Sequence, residues 1–266
     1  SKDTYQVYYN TLLSLVEKKN YEQLKSELET IDKDELKEIS DNVNIIKDKL
    51  KYRAEGEDFI HYTSLNTLKF LLYKIDDKDN YPRLRLSNAR QMNDPNEGYT
   101  FLNLIGIKKE ELPQTDYDTS PFFFASMTQT GNGQNLDDSL PMWKEYAEES
   151  RGAFLQYDKK YLQKIIEHEA LEFVRIFYLN NTREDDSDIV KKLNELKRVI
   201  KELKGRHTKE SKLIMTTIFK NLAKISYLFK VSDYEYESEF RILINFDDSE
   251  IERLLNPKHL TDDRIK

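Results

Sequence analysis

Residues 233–246 read Asp-Tyr-Glu-Tyr-Glu-Ser-Glu-Phe-Arg-Ile-Leu-Ile-Asn-Phe, and this stretch indicates the fold class. Aromatic and branched residues alternate with charged ones, which predicts a strand over 234–246. Side chains two residues apart on a strand share one face, about 6.6 Å from each other. One face of the predicted strand therefore carries Glu235, Glu237, Glu239 and Arg241. Such a row is either a solvated edge or a functional site, because neighbouring carboxylates repel each other unless a cation or hydrogen bonds intervene.

Composition limits the classes of protein that this chain can represent. Of its 266 residues, 38% are hydrophobic and 12% aromatic, which is enough to fill a globular core. The 42 basic and 49 acidic residues leave a net charge of -7, which does not indicate a nucleic-acid surface. The chain has no cysteine, so disulfides, thiolate zinc sites and cysteine nucleophiles are excluded. No apolar run approaches the length of a membrane span, and we expect a cytoplasmic protein.

The first part of the chain has a helical pattern. Apolar residues at helical spacing over 4–52 predict two short helices, a turn and a third helix. The pattern resembles one or two units of a tetratricopeptide-type repeat. One such unit cannot bury its own apolar face, so it is expected to pack on a neighbour or on a protein partner. The polar junction at 53–58 predicts a boundary between a helical-repeat-like segment, 1–56, and a second domain, 57–266.

The second domain mixes strand and helix patterns. Strands are predicted at 59–63, 83–87, 122–126, 152–157 and 171–179, in addition to 234–246. Helices are predicted at 65–73, at 141–149 with Pro141 in the first turn, and at 188–229 with a break near Gly205. The predicted fold class is α+β, with a mixed or antiparallel sheet, inserted helices and a small all-α segment before it.

His61, Tyr62 and Thr63 stand where the first predicted strand meets a helix. A histidine at a strand end can hydrogen-bond a ribose hydroxyl or act as an acid or base. The alternative is a buried histidine that bonds to the backbone. Thr63 or Ser64 also suits the N-cap of the following helix.

Asn93-Asp94-Pro95 is a strong turn signal, because Asn and Asp bond their own backbone and Pro fixes φ. A role in shaping a loop is therefore one interpretation of these residues. Glu97 adds a carboxylate, and together with His61 such carboxylates would suit a hard cation. A metal site is the less favoured interpretation of this cluster.

Two further clusters have both a structural and a functional interpretation. Ser126 and Thr128 alternate on a predicted strand, where their hydroxyls either orient a carboxylate or nucleotide or pair across the sheet. Trp143, the single tryptophan, forms an apolar helical stripe with Tyr146 and two neighbours, and core packing is the favoured interpretation.

The order of these clusters resembles a widespread bacterial domain family of unknown function. The resemblance covers residues 57–246 and rests on three markers, N-D-P-x-E at 93–97, M-W-x-x-Y-A at 142–147 and E-x-E-x-R at 237–241. The His-Tyr-Thr at 61–63, the Ser and Thr at 126 and 128, and the Arg-Gly at 151–152 occur in the same order. The helical segment before residue 57 lies outside the resemblance.

That family is in turn distantly similar to ADP-ribosyltransferases. This second resemblance implies NAD as a substrate, with no permanently bound cofactor. It implies that Glu239 is the catalytic carboxylate and that Glu237 positions or deprotonates the acceptor. The residues it implies for NAD binding are His61, Tyr62, Thr63, Ser126 and Thr128, and those that shape the site are Asn93, Asp94, Glu97, Trp143, Tyr146 and Arg241. Arg241 is not part of the transferase pattern, and it also suits a structural ion pair with Glu239.

Three functional hypotheses follow from these features. The first is an NAD-consuming transferase or glycohydrolase with a defence or toxin-like role, whose N-terminal helices bind a protein partner. The second is a non-enzymatic module for ligand sensing or protein interaction. The third, a metal-dependent nuclease that uses Asp94, Glu237 and Glu239, is disfavoured by the acidic net charge and by Arg241, which occupies the position expected for a lysine.

Overall fold

The computed structural model describes residues 33–53, 57–72, 86–89, 96, 98–111, 122–130, 139–168, 170–180, 186–206 and 212–245. These residues divide between two compact units, each drawn from three segments of the chain. The helical unit takes Ser1–Leu50, Asn96–Asp116 and Phe177–Val231. The sheet unit takes Lys51–Pro95, Tyr117–Ile176 and Ser232–Lys266. The division into domains 1–56 and 57–266 stays a prediction.

Helices and strands alternate along the described residues. In chain order they are α1 (Lys33–Leu50), β1 (Asp58–Thr63), α2 (Leu65–Leu72), β2 (Ser87–Asn88), α3 (Tyr99–Leu104), β3 (Phe122–Thr130), α4 (Leu140–Tyr146), β4 (Ala153–Gln156), α5 (Lys159–Ile166), β5 (Glu172–Arg175), β6 (Phe177–Leu179), α6 (Ser187–Arg206), α7 (Lys212–Ser226), β7 (Phe229–Val231) and β8 (Glu239–Asn245). Short 3₁₀ helices lie at Lys109–Glu111 and Ser232–Glu237. No helix among the described residues is both long and apolar enough to span a membrane.

The helical unit is built around α1, α6 and α7. An apolar stripe on α1 is at most 1% exposed and consists of Ile39, Val43, Ile46 and Leu50. Their spacing of three or four residues places them on one side of the helix, where α1 packs against α6 and α7. The predicted third helix and the predicted helices over 188–229 are confirmed, with α6 ending at Arg206 beside Gly205. The two earlier predicted helices lie outside the described residues.

The sheet unit contains an antiparallel sheet in the order β4-β1-β3-β8-β5, with β2 also paired to β3. Its two faces carry different cores. One face packs on α5 through a cluster made of Phe59, Met127, Leu162, Ile165, Phe173, Phe240 and Ile242. The other face packs on α4 through Ile60, Tyr62, Met142 and Ala147. The prediction of an α+β fold with an antiparallel sheet is confirmed.

The stretch at 234–246 is shorter as a strand than its alternation predicts. Residues Ser232–Glu237 form a 3₁₀ helix, and β8 begins only at Glu239. Ser238 lies between them with a φ of 42°, a left-handed conformation that turns the chain into the strand. The predicted row of three glutamates on one strand face is therefore wrong, and Glu235 lies exposed on the 3₁₀ helix.

The predicted strand at 171–179 is also wrong in its extent. It is two strands, β5 and β6, which are separated by Ile176 and belong to different units. β5 pairs with β8, whereas β6 forms a separate parallel pair with β7. The apolar pattern runs through both strands, because both are largely buried, so periodicity alone does not mark the break.

Candidate functional site

The face of the sheet that packs on α4 carries a group of polar side chains from β3 and β8. In the antiparallel register Ser126 lies opposite Arg241, and Thr128 lies opposite Glu239. Directly opposed residues of an antiparallel pair point to the same face, so these four share one surface. Thr128, Glu239 and Arg241 are buried, with 3%, 4% and 1% exposure.

The Glu239 carboxylate is fixed by three hydrogen bonds. Arg241 donates from Nε to Oε1 at 2.7 Å and from Nη2 to Oε2 at 3.1 Å, which is a two-point contact. Ser126 Oγ donates to Oε1 at 2.5 Å. The Arg241 guanidinium also lies 4.1 Å from the centre of the Phe124 ring, a cation–π contact. Because both carboxylate oxygens have donors, the side chain is held in one orientation.

Glu237 reaches the same region from the 3₁₀ helix and not from the strand. It is 3% exposed. Tyr146 of α4 donates its hydroxyl to Glu237 Oε1 at 2.6 Å. Burial and the charge of Glu237 raise the pKa of Tyr146, so the phenol keeps its proton and remains a donor. We call Ser126, Tyr146, Glu237, Glu239 and Arg241 the carboxylate cluster.

Tyr62 and Trp143 border the cluster as packing residues. Their rings meet edge to face at 5.3 Å, and Trp143 contacts Phe154 in the same way at 5.9 Å. Tyr62 is buried and Trp143 half-buried. This geometry agrees with the packing interpretation of Trp143.

His61 is linked to the cluster through the backbone. Its Nδ1 lies 2.8 Å from the carbonyl oxygen of Ser126. A carbonyl can only accept, so Nδ1 carries the proton, and the Nε2 of the neutral ring is then an acceptor. Burial lowers the pKa of His61, although the bond to Ser126 opposes this shift. The described residues supply no hydrogen-bond partner for Nε2.

The side of β1 on which His61 lies follows from the register. Ile60 is opposite Thr128, and Tyr62 packs on Trp143 of α4, so both point to the face of the carboxylate cluster. Alternation places His61 on the other face. The structure therefore brings together Ser126, Thr128, Tyr146, Glu237, Glu239 and Arg241, and it connects His61 to them only through the Ser126 backbone.

Of the remaining predicted residues, the structure describes Thr63 but not Asn93, Asp94 and Glu97. Thr63 ends β1 and is buried, while Ser64 caps α2, with its Oγ accepting from Thr67 N at 3.0 Å. Asn93, Asp94 and Glu97 lie outside the described residues. Within the described ranges, no group of three or more His, Asp or Glu side chains is arranged to hold a metal ion.

Sequence reasoning missed two contributors to the site. Tyr236 donates to Glu145 Oε2 at 2.7 Å, a contact between residues 91 positions apart that periodicity does not signal. Gly152 packs so closely that a Cβ atom there would lie 2.3 Å from the Thr63 carbonyl oxygen and 2.9 Å from the backbone of Ala147. The Arg-Gly pair at 151–152 was a signal for this second contributor.

A family model described as "Protein of unknown function (DUF2971)" matches residues 142–242. The match begins at the Met of M-W-x-x-Y-A and ends one residue after the Arg of E-x-E-x-R. It contains Tyr146, Glu237, Glu239 and Arg241, whereas Ser126 and His61 lie before it. No curated protein and no solved structure matches the chain.

Proposed function

We propose that the sheet unit is an NAD-consuming enzyme of the ADP-ribosyltransferase type, acting as a transferase or a glycohydrolase, with Glu239 as its catalytic carboxylate. The observation that carries this proposal is the hydrogen bond from Ser126 Oγ to Glu239 Oε1 at 2.5 Å. It joins the middle-strand hydroxyl and the late-strand glutamate that the sequence resemblance aligns with the transferase motifs. The serine thus orients the carboxylate, as the first hypothesis requires.

Cleavage of the nicotinamide–ribose bond requires a fixed negative charge beside the ribose. The bond between the ribose C1′ and the nicotinamide nitrogen breaks, and its electron pair leaves with nicotinamide. Positive charge develops on the ribose, and a preorganised carboxylate stabilises it. Glu239 fills this role and accepts a hydrogen bond from a ribose hydroxyl. Glu237 takes the proton from the acceptor, water or a protein side chain, as the acceptor attacks C1′.

Three hydrogen-bonding residues prepare the carboxylates for these roles. Ser126 and Arg241 hold Glu239 in one rotamer, so little reorganisation is needed when charge develops. Tyr146 orients Glu237. We assign His61 to fixing the Ser126 backbone from the other face of the sheet.

A second candidate function is a non-enzymatic module for ligand sensing or protein interaction. The observation that favours it is the closed Glu239–Arg241 ion pair, whose side chains are 4% and 1% exposed. In this alternative the pair is a structural lock, and the α1 region serves a protein partner. The nuclease hypothesis uses Asp94, which lies outside the described residues, and it stays a prediction.

The test is calorimetric titration with NAD together with an assay for released nicotinamide. Ser126→Ala removes one donor to Glu239 without changing a charge, and we expect turnover to fall about tenfold to a hundredfold. Glu239→Gln is expected to abolish turnover. Glu235→Gln is the matched control, because Glu235 is exposed on the adjacent 3₁₀ helix, and its turnover should equal that of the wild type.

Two histidine variants separate the roles of His61. Asn at position 61 can keep a donor to the Ser126 carbonyl but has no counterpart of Nε2. Weaker NAD binding in both His61→Ala and His61→Asn would contradict an action through Ser126, because His61→Asn keeps a donor to the Ser126 carbonyl. Weaker binding in His61→Ala alone would indicate action through Ser126. Absence of any binding at millimolar NAD would reject the enzyme and favour the interaction module.

A further inference from the structure

The two carboxylates of the cluster are buried in the state that the structure describes. Glu237 is 3% exposed and Glu239 is 4% exposed. A carboxylate that stabilises a reacting ribose must be in contact with it. A substrate therefore needs access to carboxylate oxygens that are closed to solvent here. Tyr146 of α4 lies directly on Glu237, so α4 covers this carboxylate.

Two hydrogen bonds of opposite direction join α4 to the 3₁₀ helix at Ser232–Glu237. Tyr146 of α4 donates to Glu237 at 2.6 Å, and Tyr236 of the 3₁₀ helix donates to Glu145 of α4 at 2.7 Å. The first bond is partly buried and the second lies at the exposed rim. Burial and the neighbouring carboxylates raise the pKa of both tyrosines, so both hydroxyls stay protonated.

The two ends of α4 are held differently. At its C-terminal end, Ala147 is fully buried and accepts a hydrogen bond from Gly152 N at 2.8 Å. Between them Glu148, Glu149 and Ser150 have φ values of 50°, 54° and 67°, three consecutive left-handed residues that cost about 1–2 kcal/mol each. At the other end Leu140 is 58% exposed, and the Ser139 side chain makes no capping bond. The C-terminal end is therefore the anchored one.

We infer that α4 is a cover over the carboxylate cluster, that it opens by pivoting about residues 147–152, and that the Tyr146–Glu237 and Tyr236–Glu145 bonds hold it closed. Substrate reaches Glu237 and Glu239 when both bonds and the packing of Met142 on the sheet have been lost. This inference rests on the proposed function, because it supplies the access that the reaction needs. It assigns Tyr236 and Glu145 a role in regulating the site.

Hydrogen exchange measured by mass spectrometry tests the cover without any NAD. In the wild type, amides of α4 should exchange faster than those of β3 and β8, because opening of α4 is a local event. Tyr146→Phe and Tyr236→Phe should each speed exchange in α4 by about tenfold or more, the effect of losing a hydrogen bond to a charged group. Exchange in α5 and β8 should not change.

Trp143 provides a second readout, because it is the single tryptophan of the chain and lies on α4. Its fluorescence should be quenched by acrylamide more strongly in the two tyrosine variants than in the wild type. Tyr161→Phe is the matched control, since the Tyr161 hydroxyl has no hydrogen-bond partner among the described residues and its ring stacks on Tyr157.

The outcomes separate the cover from the enzyme. If the amides of α4 and β8 exchange at the same rate in the wild type, α4 opens only when the whole unit unfolds, and the cover is rejected. This outcome needs only the wild type, so it can be reached even if a tyrosine variant fails to fold. If α4 opens locally but NAD is neither bound nor cleaved, the cover stands and the enzyme is rejected. If Glu239→Gln abolishes turnover while α4 never opens locally, the enzyme stands and the cover is rejected.

Discussion

At the scale of single residues, the buried pair of Glu239 and Arg241 has the largest energetic consequence. Removing one member of a buried ion pair leaves a charge in a poorly solvated place and costs about 3–5 kcal/mol. We therefore expect Glu239→Gln to lower the free energy of unfolding by that amount, in addition to any effect on turnover. Urea denaturation measures this loss.

A double-mutant cycle provides the control for this prediction. Glu239→Gln combined with Arg241→Gln removes both charges, so the double variant should be more stable than the sum of the two single losses predicts. Additive losses would mean that the two side chains do not interact, in contradiction to their contact distances of 2.7 and 3.1 Å.

His61 predicts a pH dependence of stability. Its pKa is lower in the folded chain than the ordinary value because the ring is largely desolvated. Below about pH 6.5 the unfolded chain takes up a proton that the folded chain does not, so stability falls as pH falls from there towards the folded pKa. Above that range the residue has no effect.

The measurement is urea unfolding at about pH 7.5 and about pH 5.5. His61→Asn should lose less stability between the two pH values than the wild type does. The wild type, unfolded under the same conditions, is the reference for this comparison. An unchanged pH dependence in His61→Asn would contradict the prediction.

The residues of the carboxylate cluster differ in how far the sequence reveals them. Alternation on one predicted strand places Glu239 beside Arg241, whereas only the family resemblance places Ser126 in the same site. Glu237 was placed on the wrong element, because the left-handed Ser238 interrupts an alternation that looks continuous. The separation of His61 from the glutamates requires the strand register, which only long-range pairing determines.

At the scale of elements, β1 and the turn after α4 are pressed together at Gly152. A Cβ atom there would meet backbone atoms at 2.3 and 2.9 Å, and backbone cannot rotate away as a side chain can. Gly152→Ala should therefore destabilise by about 1–3 kcal/mol or more through overpacking. It should also speed hydrogen exchange in α4.

Gly205 supplies the matched control within α6. A Cβ atom at Gly205 meets nothing within 4 Å, so alanine should stabilise the helix by about 0.5–1 kcal/mol. Thermal unfolding of the two variants gives the comparison. A Gly152→Ala variant as stable as the wild type would mean that β1 and the turn can move apart without a cost in stability.

Most elements with one dominant period were predictable, whereas two helices and the break between two strands were not. The positions of α1, α2, α6 and β1 follow from runs of apolar residues at regular spacing. α3 and α5 were not predicted. Length does not explain the case of α5, because α2 also has eight residues; the capping residue Asp158 is the signal that was available for it. The division of β5 from β6 depends on which partners the two strands find, which the local sequence does not encode.

At the scale of the whole molecule, the helical unit needs α1 from the start of the chain. Burial of its four aliphatic side chains stabilises the unit by about 6–12 kcal/mol, at roughly 1.5–3 kcal/mol for each side chain. This is similar to the free energy of unfolding of a typical domain, about 5–15 kcal/mol. A fragment of residues 57–266, the predicted second domain, should therefore fail to form a stable helical unit. Circular dichroism and limited proteolysis of this fragment beside the full chain measure the loss.

A fragment that unfolds cooperatively and resists protease as the full chain does would contradict this expectation and support the predicted boundary near residue 56. Val43→Ala in the full chain is the milder companion variant. It removes two methyl groups at a fully buried position and should lower stability without preventing folding.

The interleaving of the two units also bears on how such a protein can arise. The six segments are joined by five crossings of the chain, at residues 50, 95, 116, 176 and 231. Genetic recombination transfers contiguous stretches, so no single exchange of DNA can add or delete either unit intact. The stretch 142–242 itself includes parts of both units and lacks β1 and β3. Descendants are therefore expected to diverge by point substitution and loop insertion, with the two units inherited as one.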